Sequence, residues 1–339
     1  MSNTKGQTKR AVEHGSIHEQ LLNMGYAAPD QVIDASENLV QQNAQIQEMF
    51  NIGQTRLPRD TRDVLGNTEP ENFALKLNRQ VFWCQDKKKT QKPILFKKEK
   101  DSTYRVRFEF DRTLIKEISE RQLSAIQNLG LKCNVMDFKI DWRLVVGLGN
   151  ESVYETSMTL HHVYGFPYIP ASAVKGVVRS WIITELFGEH VGADGKQILD
   201  FKHAEERAMK NNGFRDLFGD TDVAGKISFF DAFPVTVPKI DIDIMNPHYG
   251  EYYADQAGLT APADYLTPVP IPFLTVKDAI YRFVLGVRTD ANDVMRDDSL
   301  NGQGCSSLEV ASKWLENALT KHGIGAKTAV GYGYMTLQK

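Results

Sequence analysis

Residues 168–181 read YIPASAVKGVVRSW, and the rest of the chain is arranged around them. Pro167 and Pro170 hold the approach extended, because a residue before proline is pushed out of the α region, and Ser172 is then placed to cap a helix. On that helix Ser172, Lys175 and Arg179 fall at i, i+3 and i+7 on one face, while Val174, Val177, Val178, Trp181 and Ile182 form an apolar stripe. One face is to be buried; the other carries a hydroxyl and two cations, with Gly176 keeping it open. A helix N-terminus adds unpaired N–H groups and a partial positive charge, which suits a phosphate. The plain alternative is a capped amphipathic helix whose two basic residues are solvated.

Working outward, two β-rich stretches lie upstream, residues 134–146, stopped by Gly147 and Gly149, and residues 156–164, which lead into the helix. Downstream comes a polar insertion, 188–219, with a short helix at 204–210, and then a strand at 225–235. Residues 234–272 hold seven of the thirteen prolines and read as a long irregular excursion of the kind that touches a partner. A strand at 280–287 turns Tyr281, Phe283 and Leu285 one way and Arg282 the other. Ser306 and Glu309 have capping-box spacing and open a helix that buries Ala311, Trp314, Leu315 and Ala318 and ends at Gly323. A glycine-punctuated strand at 329–337 closes the chain. Without the insertions, 131–339 reads β-α-β-β-α-β, an α+β, ferredoxin-like (RRM-like) order with both helices on one face of an antiparallel sheet. The other face would be open to a ligand.

Residues 1–130 are patterned differently. A polar tail to about 28, a loosely amphipathic helix at 29–50, a half-exposed strand at 104–110 and a helix at 115–129 stopped by Gly130 make a mainly helical N-terminal extension docked on the larger domain.

At 339 residues the chain has ample core for one large or two ordinary domains. Cys84, Cys133 and Cys305 are odd in number and widely spaced, which excludes a disulfide framework and points to a reducing, cytoplasmic setting. The N-terminus is polar and no run approaches the ~20 apolar residues of a membrane span, so a soluble protein with no membrane partner is expected. Net charge is −3, so any site for a polyanion must be local. Basic residues do cluster, with Lys87, Lys88, Lys89, Lys92, Lys97, Lys98, Lys100 and Arg105 close together, a run that also reads as a solvated face.

Between the last helix and the last strand lies Gly323-Ile-Gly325-Ala-Lys327-Thr328-Ala-Val-Gly331-Tyr-Gly333. Its glycines permit positive φ and close approach of amides to an anion, and Lys327 with Thr328 adds a charge and a hydroxyl. It is not a nucleotide-hydrolysing P-loop, because Ala326 stands before the lysine and too few residues follow Thr328 to build the helix that such a loop opens. A flexible helix-to-strand turn is the alternative.

Taken together, the P-x-I-P-x-S-x-x-K-G-x-x-R segment from Pro167 to Arg179, the Leu-Phe-Gly at 217–219 followed by a Gly-x-Ile-x-Phe strand, and the terminal glycine loop resemble the RAMP superfamily of CRISPR RNA-binding proteins. Within it, the Lys327-Thr328 form of the loop and the Met245-Asn-Pro-His248-Tyr249 run with Tyr252 and Tyr253 are similar to the sixth-subunit family of type III-B (Cmr) effector complexes. The resemblance covers 131–339; Ala171 stands where that family usually has glycine. It implies a non-catalytic RNA-binding subunit without cofactor or metal, acting in antiviral defence and capping the end of a ribonucleoprotein that holds the 3′ part of the guide crRNA and the paired target RNA. The implied protein partners are the RAMP backbone subunit, the small helical subunit and the other end-capping RAMP subunit. The expected RNA-binding residues are Ser172, Lys175, Gly176, Arg179, His161, Arg282, Gly323, Gly325, Lys327, Thr328 and Gly331.

Other chemistries stay open. His161 or His162 as acid or base on a ribose hydroxyl would make the chain a metal-independent endoribonuclease processing CRISPR RNA. A small-molecule phosphate enzyme is a further class. Asp241, Asp243 and His248 invite a metal, yet their spacing fits neither a zinc box nor an EF-hand, so loop packing or subunit contact is expected of them.

Overall fold

The computed structural model describes residues 52–66, 68, 70–85, 91–94, 97–98, 104–105, 108–191, 197–247, 249, 252, 255, 268, 270–291 and 304–339. They belong to one unit running from Ile52 to Lys339. The expected tail and the helix at 29–50 lie outside the described residues, as do the side chains of the basic run, His248 and Tyr253.

The principal elements, in chain order, are α1 (Phe73–Asn78), α2 (Arg112–Gln127), β1 (Leu131–Ile140), α3 (Ala171–Phe187), α4 (Ala204–Lys210), α5 (Asn212–Phe218), β2 (Ile227–Phe229) and β3 (Phe233–Pro234). They continue with β4 (Lys239–Met245), β5 (Ile271–Lys277), β6 (Ile280–Arg288), α6 (Ser307–Asn317) and β7 (Met335–Leu337). The sheet has the order β7-β1-β6-β2, with β3 also on β6, and every pairing is antiparallel. β4 and β5 form a separate antiparallel hairpin. The chain is thus a mixed fold of helices and antiparallel sheet.

Strand period explains which face each residue serves. Phe138 opposes Tyr281 and Met136 opposes Phe283 across the β1–β6 ladder. With Ile140 and Leu285 they meet Val174, Val178, Trp181 and Ile182 of α3 and Leu308, Ala311, Trp314 and Leu315 of α6 in one core. The capping box forms as expected, with Ser306 Oγ accepting from Glu309 N–H and the Glu309 carboxylate accepting from Ser306 N–H.

The second face is covered over β6 and β3, while Val135 and Lys139 of β1 stay exposed on it. Phe233 opposes Arg282 on that face and packs with Ile115 and Ile118 of α2 and with Phe166. Gln122 of α2 donates to the Asp231 carbonyl at 2.8 Å. Val284, alternating with the core residues of β6, is still only 2 % exposed. The extension supplies this cover, and α1 adds Phe73 and Leu77 to the main core. Asn72, the N-cap of α1, also donates to the Val163 carbonyl at 2.8 Å.

Several local expectations change: the irregular excursion expected at 234–272 carries the strand β4, and the strand expected at 329–337 shortens to β7 behind a 3₁₀ turn at Thr328–Val330. The strand expected at 225–235 breaks into β2 and β3, and the stretch at 156–164 forms only a bridge, Leu160 to Pro167, around a turn at Gly165. Ser172 does not cap α3: Pro170 occupies the N-cap, and the carboxylate of Asp231, from the break between β2 and β3, accepts from Ala171 N–H at 2.7 Å. A proline has no side-chain acceptor, so the cap is supplied from a distant residue. Asp231→Ala is expected to cost about 1 kcal/mol of stability, while Asp231→Asn keeps most of it, as read from paired urea melts.

Candidate nucleic-acid interface

The glycine loop is built by close backbone approach. Gly323, Gly325, Gly331 and Gly333 all have positive φ, and Lys327 is left-handed at φ 63°. A Cβ on Gly325 would lie 2.2 Å from the Val145 carbonyl oxygen, so glycine is required there on two counts. Ala326 N–H donates to that same oxygen at 2.8 Å, and Gly333 N–H donates to the Arg143 carbonyl at 2.8 Å. The loop is therefore sewn to the segment that follows β1. Thr328–Val330 forms one 3₁₀ turn at its tip, where Ala329, Val330 and Gly331 are exposed.

Beneath the tip is a polar strut that spacing did not suggest. Arg143 pairs with Asp241 at 2.8 Å and donates to Thr275 Oγ1 at 2.9 Å, and Lys277 also reaches Asp241 at 2.9 Å. Asp243 accepts from the Tyr332 hydroxyl at 2.5 Å. Burial pushes the Asp241 carboxyl up, but the Lys277 hydrogen bond and the Arg143 and Lys277 charges outweigh it and hold it below the ordinary range. Burial, then the bond to Asp243, holds the Tyr332 phenol protonated. Asp241 and Asp243 thus pack the β4–β5 hairpin against the loop. Among the described residues no group of three or more His, Cys, Asp or Glu side chains is placed to hold a metal.

The expected site residues occupy four places. Gly323, Gly325, Lys327, Thr328 and Gly331 are together in the loop. Lys327 makes no ion pair among the described residues; its ammonium lies 5.3 Å from the Phe273 ring centroid. Ser172, Lys175, Gly176 and Arg179 share the outer face of α3, with Ser172 and Gly176 exposed. Lys175 Nζ donates to the Phe218 carbonyl at 2.6 Å, a neutral partner, and makes no ion pair among the described residues. Arg179, by contrast, pairs with Glu205 of α4 at 2.8 Å. Arg282, on the second sheet face, is held by both oxygens of Asp137, at 2.8 and 2.7 Å.

His161 sits in the turn before α3. Its Nδ1 accepts from Val163 and Tyr164 N–H, each at 3.3 Å, so the neutral ring carries its hydrogen on Nε2. Tyr164, Phe166, Tyr168 and Phe233 surround it. Burial and the neighbouring His162 hold its pKa below the ordinary imidazole value, against a smaller opposing pull from Asp231. This geometry gives the ring a turn-forming role.

Residues missed by sequence reasoning stand beside the loop. Trp142 is 53 % exposed and packs on the Tyr332 ring, centroids 4.9 Å apart. Reading 134–146 as one strand assigned it to the sheet; its flanking Asp141 and Arg143 were the available signal that the strand ends before it.

The family model described as the RAMP superfamily matches residues 138–336. CRISPR system Cmr subunit Cmr6 of Pyrococcus furiosus is 35% identical over 237 residues, a match covering 58% of this chain and 65% of the relative. CRISPR system CMR subunit Cmr6 of Saccharolobus solfataricus is 26% identical over 275 residues, covering 78% and 80%. Among solved structures, a chain of the type III-B Cmr-beta complex bound to cognate target RNA matches at TM-score 0.48 and 21% identity, covering 68% of this chain and 67% of that one. The crystal structure of Cmr6 from Pyrococcus furiosus matches at TM-score 0.38 and 32% identity, covering 61% and 99%.

Proposed function

The chain belongs to the RAMP superfamily, and from that premise we propose that it is a non-catalytic RNA-binding subunit of a type III-B CRISPR effector complex. In this reading 131–339 is the RNA-binding domain, of ferredoxin-like arrangement, and 1–130 is its N-terminal extension, of which the part from Ile52 packs in one unit with the domain. The strand order β7-β1-β6-β2, with α3 and α6 as the crossovers, supports that arrangement. The chain caps the end that holds the 3′ part of the guide crRNA with its paired target, beside other RAMP and small helical subunits. The two Cmr6 relatives support the assignment to this complex.

The observation that carries RNA binding is the presence, on the expected motifs, of two cations with no carboxylate partner among the described residues, Lys175 on α3 and Lys327 in the loop. Arg179 and Arg282 are already neutralised by Glu205 and Asp137, so they contribute less net field. Phosphate contacts of this kind give sequence-tolerant, salt-steep binding, with base pairing of guide to target supplying sequence.

Filter binding of labelled single-stranded RNA to the full chain at several salt concentrations tests this. Lys175→Ala and Lys327→Ala are each expected to weaken binding and lower the salt slope by about one, whereas Arg282→Ala changes it less. Absence of RNA binding at every salt concentration, or cleaved RNA on a denaturing gel, would count against the reading.

A further inference from the structure

We propose that Trp142 is a stacking platform for one unpaired nucleobase, placed so that the glycine loop holds the adjoining phosphate. This deepens the RNA-binding reading and rests on it. Trp142 follows β1 at the point where the chain turns toward Arg143, and its indole is half exposed although it is one of only four tryptophans. It is held from behind by Tyr332, whose own hydroxyl is tied to Asp243. The Arg143 guanidinium lies 5.6 Å from its centroid, fixed by Asp241 and Thr275. The ring is therefore braced by a network of partners rather than left to turn freely.

What flanks the ring decides the occupant. Gly331 leaves its edge clear, since even an added Cβ would be 4.0 Å from the ring, an ordinary contact. Val330, next to it, is 64 % exposed. Of the nearby carboxylates, Asp241 and Asp243 are engaged by Arg143, Lys277 and Tyr332, whereas Asp141 accepts only from the neutral Thr336 Oγ1 at 2.7 Å, so the phosphate is placed on the Lys327 side of the ring. Lys327 keeps its charge. A single exposed aromatic ring falls far short of the ~800 Å² per partner that a stable protein interface buries, and a flat π surface suits a base. Base-on-aromatic stacking is sequence-tolerant, as a subunit that leaves sequence to pairing requires.

The test is a titration of the full chain into a short single-stranded oligoribonucleotide carrying one 2-aminopurine, with fluorescence and filter binding read on the same samples. The expected result is quenching on binding by wild type, retained in Trp142→Phe and lost in Trp142→Leu and Trp142→Ala, with affinity down about tenfold in the last two. Leucine preserves apolar packing on Tyr332, so a loss there is not explained by misfolding. RNA binding with unchanged quenching in Trp142→Leu overturns the stacking role and leaves the RNA-binding reading intact. Absence of RNA binding by wild type overturns both.

Discussion

Gly325→Ala is expected to lower the stability of the unit by about 3 kcal/mol or more, the sum of a backbone held where L residues rarely sit and a clash with fixed main chain. Its φ is 96°, and the new methyl would lie 2.2 Å from the Val145 carbonyl oxygen. That oxygen cannot retreat, because it accepts the Ala326 N–H at 2.8 Å. The strain must be relieved by lifting the loop from the segment after β1, which releases Tyr332 and with it the brace of Trp142. Thermal melts should show a drop of roughly 6–12 °C at about 2–4 °C per kcal/mol. Gly176→Ala is the control: no heavy atom lies within 4 Å and the residue is mid-helix, so alanine should stabilise by about 0.5–1 kcal/mol. Equal melting temperatures for Gly325→Ala and wild type would mean the loop does not hold this geometry.

Arg143→Met is the second large effect. The arginine side chain is 17 % exposed and faces Asp241 and Asp243 from the end of β1. Methionine keeps the stem but leaves Asp241 to Lys277 and Asp243 to the Tyr332 hydroxyl; breaking a fully buried pair costs about 3–5 kcal/mol, and with these partners and some solvent left the loss here is about 2–3 kcal/mol. The sign of the pH dependence follows from Asp241, whose folded pKa is depressed. Its contribution is fully present above the unfolded value, about 4, and is lost as pH falls through the folded one. The gap between wild type and Arg143→Met should therefore be widest at neutral pH and narrow on acidification below about 4. Urea melts at both pH values check this, and a constant gap would show that the arginine acts by packing alone.

What the sequence made legible was local. The capping box of α6 is written in Ser306 and Glu309, the positive-φ loop in its glycines, and the inward face of β6 in Tyr281, Phe283 and Leu285. Those features depend on residues within a turn or two of each other. The cap of α3 was not legible, because Asp231 lies 60 residues from Ala171 and only the break between β2 and β3 turns it there. Arg282 looked like a free cation for the same reason: its partner Asp137 is 145 residues away on the neighbouring strand. Cover of the second sheet face by α2 depended on an extension whose own pattern said helix but not where it docks.

Asp231 joins elements on opposite faces of the sheet through one residue. Its carboxylate receives the first amide of α3, and its carbonyl receives Gln122 of α2. Neither helix can peel away without disturbing the other's anchor, so the two faces open as one cooperative step. In amide hydrogen exchange, α2 and the first turn of α3 would then share a single opening free energy, and α2 would behave kinetically as part of the domain it covers.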